Sequence, residues 1–154
     1  MKKTLALVLV LMLIPLFALA DSNRVFDNAG LFSDQETIEL NDAITVFQRK
    51  TNLDFAILTT DDYLGSYNQK AISDSFYDSQ GFGLDKAYSG CLLYLDTNQG
   101  LIYLSTAGSL VALLEDEDTS QKLLDEINPS IKTGEFKEAV FLTLQFLTEY
   151  KTSL

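Results

Sequence analysis

The side chains of this sequence that could do chemistry are carboxylates, because the chain contains no histidine. That absence removes Ser-His-Asp and Cys-His nucleophilic catalysis, histidine phosphatases and the usual zinc sites. The lone cysteine, Cys91, sits in the apolar run Gly90-Cys91-Leu92-Leu93-Tyr94-Leu95 with no arginine at phosphate-cradle spacing, and reads as core. Asp78, Asp85 and Asp116 are the candidate metal ligands. Hard oxygen donors of this kind suit calcium or magnesium, and hydrolysis on this chain would have to run through a carboxylate-held cation. The plainer role for Asp78 and Asp85 is to cap a helix end and a loop. A second group, Asp61, Asp62, Asp96 and Asn98, falls where strands end, the usual position of ligands in open α/β sheets, although Asp96 and Asn98 also read as turn formers.

Two local patterns imitate known sites and fail on their own terms. Asp96-Thr97-Asn98-Gln99-Gly100 opens like an EF-hand loop, but position twelve is Ala107 rather than Glu and the flanks read as strands. Leu110 to Ser120 places an apolar run before Asp116-Glu117-Asp118, as aspartate-dependent phosphatases do. Lys132 follows, but no downstream acid pair does, and the acidic run reads as a helix N-terminus.

The elements that must position these residues are legible in order. Val25 to Asp27 is a short extended segment, and Asn28-Ala29-Gly30 supplies a turn. Ser33 and Glu36 form a capping box, so a helix starts near Asp34; Ile38, Leu40, Ala43, Ile44 and Phe47 keep one face apolar at helical spacing, and Asn52 stops it. Leu53 to Thr60 reads as a buried strand. A second helix runs from about Tyr67 to Ser79 and ends at Gly81-Phe82-Gly83. Gly90 to Leu95 and Leu101 to Thr106 form a hairpin across a glycine-bearing turn. Leu110 to Leu114 makes a helical turn. A helix over Thr119 to Asn128, N-capped by Asp118 or Thr119, and a last one over Glu135 to Tyr150 complete the chain, the latter with Phe136, Val140, Leu144 and Leu147 in one stripe.

A helix between the strands at 53 and 90 implies a right-handed crossover and parallel pairing. The expected fold is α/β: a three-layer α/β/α sandwich on a mixed, mainly parallel sheet with an antiparallel hairpin edge. Because the hairpin's second strand ends beside the start of its first, Asp85 and the loop at Gly108 are expected at one sheet edge, with Asp78 and Asp116 near it.

The N-terminus carries its own message. Lys2 and Lys3 precede an apolar run from Leu5 to Phe17 and then Ala18-Leu19-Ala20, the pattern of a secretory signal peptide. Cleavage after Ala20 would release Asp21; persistence as an N-terminal anchor is the alternative, but the run is shorter than the roughly 20 apolar residues a comfortable span needs. Residues 21 to 154 are then one domain outside the cytoplasm, with no second apolar span before Leu154. Removing residues 1 to 20 takes two lysines and no acids, so the formal charge moves from −11 to −13, with 9 basic residues against 22 acidic. Such a chain neither neutralises the phosphates of nucleic acid nor binds anionic membrane surfaces directly. Cations or a basic partner are its natural complements. One cysteine allows no internal disulfide, so packing must supply stability.

Taken together, five segments in this order resemble the TPM domain family: "VFDNAGLFSDQE" from Val25, "FYDSQGFG" from Phe76, "SGCLLYLD" from Ser89, "YLSTAG" from Tyr103 and "IKTGEFKEAV" from Ile131. The resemblance covers residues 25 to 147 and is nearest to secreted Gram-positive versions. It implies an accessory or binding module of the cell envelope whose partner is an envelope or membrane protein. A metal-dependent acid phosphatase is the alternative that the resemblance implies, with Asp85 and Asp116 holding the cation and a metal-bound water attacking phosphorus. The resemblance often extends in relatives to a C-terminal transmembrane helix that this sequence does not show, so a membrane tether is not expected from it. The chain also has Gln99-Gly100 where many relatives carry a basic residue after the hairpin turn, and Ala87-Tyr88-Ser89 where an acid or amide often precedes the strand glycine.

Overall fold

The computed structural model describes residues 23–62 and 68–153. The signal-peptide reading, and the expected start of the second helix at Tyr67, lie outside the described residues. Among those described, the order is β1 (Val25–Asp27), α1 (Asp34–Thr51), β2 (Asp54–Thr60), α2 (Gln69–Gln80), β3 (Gly90–Asp96) and β4 (Leu101–Ala107). A short 3-10 turn at Gly108–Leu110 leads into α3 (Val111–Glu115), α4 (Glu117–Thr133) and α5 (Phe136–Thr152). No helix among these residues is long and apolar enough to cross a membrane.

The capping box forms as its sequence requires. Ser33 Oγ accepts from Glu36 N–H, the Glu36 carboxylate accepts from Ser33 N–H at 3.0 Å, and Asn52 closes the helix in the left-handed conformation. Helix α4 departs from expectation at both ends. Its N-cap is Asp116, not Asp118 or Thr119, and it runs through Pro129 to Thr133 instead of stopping at Asn128. Pro129 removes one backbone donor, but the buried face of Leu123, Ile127 and Ser130 carries the helix on to its glycine cap at Gly134.

The four strands lie in the order β1-β2-β3-β4, with β1, β2 and β3 parallel and β4 antiparallel to β3. Alternation separates two cores, making the expected α/β/α sandwich. On one face Phe55, Ile57, Cys91, Leu93 and Leu95 meet Leu40, Ile44 and Phe47 of α1 and Val140, Leu144 and Leu147 of α5. On the other, Ala56, Leu58, Leu92 and Tyr94 meet Tyr77, Phe76 and Ile72 of α2, with Phe26 and Phe82 alongside. Helix α4 packs against α5.

This arrangement has a topological consequence. The connections β1-α1-β2 and β2-α2-β3 step across the sheet in the same direction, yet their helices lie on opposite faces. They therefore have opposite hand. One of the two departs from the right-handed rule that the sequence reading applied.

Gly90, where β3 starts, is a tight point: a Cβ there would lie 2.4 Å from Tyr77 Oη and 2.6 Å from the Asp54 carbonyl oxygen. Gly90→Ala is expected to lower unfolding free energy by about 1–3 kcal/mol, the usual penalty of overpacking, read as a lower urea midpoint. An unchanged midpoint would show that both α2 and the start of β2 can give way without loss.

Candidate functional site

The residues singled out as ligands sit around the amino end of β3 and the carboxyl end of β4. The loop between α2 and β3 carries Asp85, and its fixed point is Asp54, which is 1% exposed. One carboxylate oxygen of Asp54 accepts from Arg24 Nε at 2.9 Å, Gln48 Nε2 at 2.7 Å and Phe55 N–H at 2.9 Å. The other accepts from Arg24 Nη2 at 3.3 Å and Gly83 N–H at 2.8 Å. The Arg24 guanidinium lies 4.7 Å over the Phe82 ring. Gly83 has φ +111°, and a Cβ there would fall 2.4 Å from Tyr88 Cα, so only glycine fits. Tyr77 Oη, whose ionisation burial opposes first and neighbouring negative charge second, donates to the Tyr88 carbonyl at 3.2 Å.

Within this loop Asp85 accepts from Ala87 N–H and Ser89 N–H, each at 2.9 Å. Ser89 Oγ in turn accepts from Ser109 N–H at 2.8 Å, and Gly90 pairs with Ala107. The loop of Asp85 and the turn at Gly108 therefore meet at one sheet edge. The role Asp85 visibly performs there is to hold its own loop. The Ser89 N–H and Ser89 side chain, with Ala87 N–H, keep the Asp85 carboxyl below the ordinary carboxylate range.

The other two candidates have different partners. Asp116 caps α4, accepting from Thr119 N–H at 3.1 Å and from the Thr119 hydroxyl. Asp78 is exposed on the last turn of α2 and lines a cleft of about 220 Å³ with Asp74, Tyr77, Ser105, Thr106 and Ala107. Among the described residues no group of three or more histidine, cysteine, aspartate or glutamate side chains is placed to hold a metal ion. The structure thus unites Asp78 not with Asp85 and Asp116 but with Asp74, which sequence reasoning did not single out. Asp74 takes a hydrogen bond from Ser105 Oγ and pairs with Lys70 Nζ at 2.7 Å. Partial burial raises its carboxyl, but hydrogen bonds from Lys70 and Ser105 and the Lys70 charge outweigh that and leave it below its usual range. The i, i+4 spacings of Lys70, Asp74 and Asp78 were the available signal.

At the opposite end of the sheet the acids also serve the backbone. Asp27 accepts from Leu31 N–H at 2.9 Å, Phe32 N–H at 2.8 Å and Thr59 Oγ1 at 2.6 Å. Asp96 Oδ1 accepts from Gln99 N–H at 2.9 Å, as expected of a turn former, while its buried Oδ2 and the buried Tyr94 Oη make no hydrogen bond among the described residues. Burial, then the Asp54 charge, pushes the Cys91 thiol up, so it is inert core. A cavity of about 620 Å³ lies between the starts of α1 and α5, where Lys137 already pairs with Glu36 and Glu39.

A family model described as the TPM domain matches residues 25–150. Solved structures similar to this chain include the following three. The N-terminal domain of a P. gingivalis protein has a TM-score of 0.70 and 25% identity, covering 87% of this chain and 88% of that one. The BA42 protein of the psychrophilic bacterium Bizionia argentinensis has a TM-score of 0.64 and 14% identity, covering 77% and 83%. The N-terminal domain of a Corynebacterium glutamicum protein has a TM-score of 0.64 and 11% identity, covering 97% and 88%; these last two likenesses show the fold alone. No curated protein matches.

The depressed Asp85 carboxyl gives a signed pH dependence. A group whose folded pKa lies below its unfolded value, about 3.9 for aspartate, contributes stability that is complete above that value and is lost as pH falls through the folded pKa. Asp85→Asn should therefore flatten the acid limb of stability below about pH 4, measured by urea unfolding at stepped pH. An acid limb identical to that of the parent protein would remove Asp85 from the loop's support.

Proposed function

The chain belongs to the TPM domain family, and on that premise we propose that it is a binding module acting outside the cytoplasm on an envelope partner. One observation carries this reading. Asp27, Asp54, Asp85 and Asp116 all accept hydrogen bonds from backbone N–H groups of loops and caps, which makes them part of the frame. Asp78, by contrast, stands exposed in the cleft beside β4. A framework whose acids fix loops, with an acidic cleft left at its surface, suits recognition of a cationic group. Export is supported by the Lys2-Lys3 start, the apolar run Leu5 to Phe17 and Ala18-Leu19-Ala20.

A second reading, metal-dependent hydrolysis of phosphate esters, is favoured by the same cleft. Asp74 and Asp78 lie there with the hydroxyl-bearing Ser105 and Thr106, oxygen donors of the kind calcium or magnesium takes.

Two measurements decide between these and test the premise of export. Intact mass of the protein recovered from an exporting host should correspond to a chain beginning at Asp21; recovery of the intact N-terminus in the cytoplasmic fraction would overturn the location. Para-nitrophenyl phosphate, offered after chelation and again with calcium, magnesium or manganese restored, should show no turnover above buffer. Saturable, cation-dependent turnover that disappears in Asp78→Asn would replace the binding-module reading with the hydrolytic one.

A further inference from the structure

The hydrogen-bond register assigns each backbone group of β4 a direction. Asp54 N–H bonds to the Ser89 carbonyl at 3.0 Å and Thr97 N–H to the Thr60 carbonyl at 2.9 Å, so the odd-numbered residues of β3 face β2 and the even-numbered ones face β4. Gly90, Leu92, Tyr94 and Asp96 thus exchange bonds with Ala107, Ser105, Tyr103 and Leu101. The N–H and C=O groups of Ile102, Leu104 and Thr106 point the other way, off the edge of the sheet. They make no hydrogen bond to any described residue.

This edge is open in a specific sense. Soluble proteins protect a free edge with charge, proline, a bulge or a cover. Leu101–Ala107 contains no charged residue and no proline, pairs with β3 in unbroken register, and its side chains are mostly half-buried or exposed. Beside its carboxyl-terminal half lies the cleft lined by Asp74, Asp78, Ser105, Thr106 and Ala107. Asp74 is held by Lys70 and Ser105, whereas Asp78 makes no side-chain hydrogen bond or ion pair to a described residue.

Building on the binding-module reading, we propose that β4 is the docking edge for an extended, basic segment of a partner protein, which adds as a fifth strand beside Ile102, Leu104 and Thr106. Main-chain bonds to those three residues supply the register. Side chains of an added strand alternate between the faces, so the residue opposite Ser105 lies on the α2 face, where a lysine or arginine meets Asp78 and Asp74. Its neighbours in sequence fall on the face of Ile102 and Leu104, which is apolar, so the segment alternates basic and apolar residues. Charge selects this occupant over a second copy of the chain: two molecules of net charge −11 repel, while a basic strand is attracted.

The test uses the full chain and a fluorescein-labelled peptide alternating lysine with valine over the length of β4, with a glutamate-for-lysine peptide as its counterpart. Hydrogen exchange read by NMR should show the amides of Ile102, Leu104 and Thr106 protected by about tenfold or more when the lysine peptide is present, and unchanged with the glutamate peptide. By fluorescence anisotropy, Thr106→Pro and Asp78→Lys should each weaken binding by about tenfold, while Asp42→Lys on the opposite face, an equal change in charge, should weaken it by less than about twofold. The exchange readout on the unmutated protein stands even if Thr106→Pro fails to fold. Binding without protection of the three amides, or equal losses in Asp78→Lys and Asp42→Lys, would overturn the β4 edge and leave the binding-module reading intact. Protection that rises with protein concentration in the absence of peptide would overturn it in favour of self-pairing. Absence of peptide binding would overturn it as well; joined to cation-dependent ester turnover, it would overturn the binding-module reading too.

Discussion

A single buried carboxylate governs how this molecule is put together. Isolated in the interior, the Asp54 charge would cost several kcal/mol in lost hydration. It is tolerated because five hydrogen bonds converge on its two oxygens. The donors come from four places in the chain: Arg24 before β1, Gln48 on α1, Phe55 in β2 and Gly83 after α2. Satisfying Asp54 therefore fixes the approach to the sheet, the pitch of α1 and the path of the loop that bears Asp85. Gly83 has to be glycine for the same reason, since its N–H can reach the carboxylate only where a Cβ would strike Tyr88. Removing Arg24 alone would leave the Asp54 charge buried without the guanidinium that balances it, which is why the pair binds the elements so firmly despite a modest net energy.

Downstream of that constraint, the placement of α2 decides what the surface offers. Sequential strand order with helices on opposite faces makes α2 the one described helix packed on its side of the sheet, where it lies over β3 and β4. Its buried face, Ser73 and Tyr77, is used for packing, and the flanking turn positions Asp74 and Asp78 then fall beside the last residues of β4. An acidic cleft next to a strand edge is thus a by-product of where α2 can pack.

Much of this was legible in the residues, and what was not has a common physical cause. The capping box at Ser33, the glycine stop after α2, the buried strand around Cys91 and the hairpin across Gly100 are all local patterns, and each forms. The expectation that the Asp85 loop and the Gly108 turn meet also holds, because antiparallel pairing of a short hairpin leaves no other place for them. Three features were hidden. The Asp54 network joins residues separated by up to 30 positions, and Asp74 meets Ser105 across 31. Side-chain partnerships at that separation depend on strand register and on which face a helix chooses, neither of which a local period encodes. The hand of the crossovers is hidden for the same reason. Helix α4 shows the opposite case, where a residue that ordinarily breaks a helix, Pro129, is overruled by the buried face around it.

The acidic composition acquires a structural meaning from the same geometry. An uncharged, proline-free edge strand is ordinarily a hazard, since identical edges can pair and grow into larger assemblies. Here the strand itself carries none of the usual safeguards, and the protection comes from its surroundings: Asp74 and Asp78 on α2, and the net charge of the whole chain, oppose the approach of a second copy. That protection is selective, because repulsion acts only against like charge. An edge guarded in this way stays closed to its own kind and open to a strand of opposite sign, so the charge that opposes self-pairing is also the one that sets which partner the edge can accept.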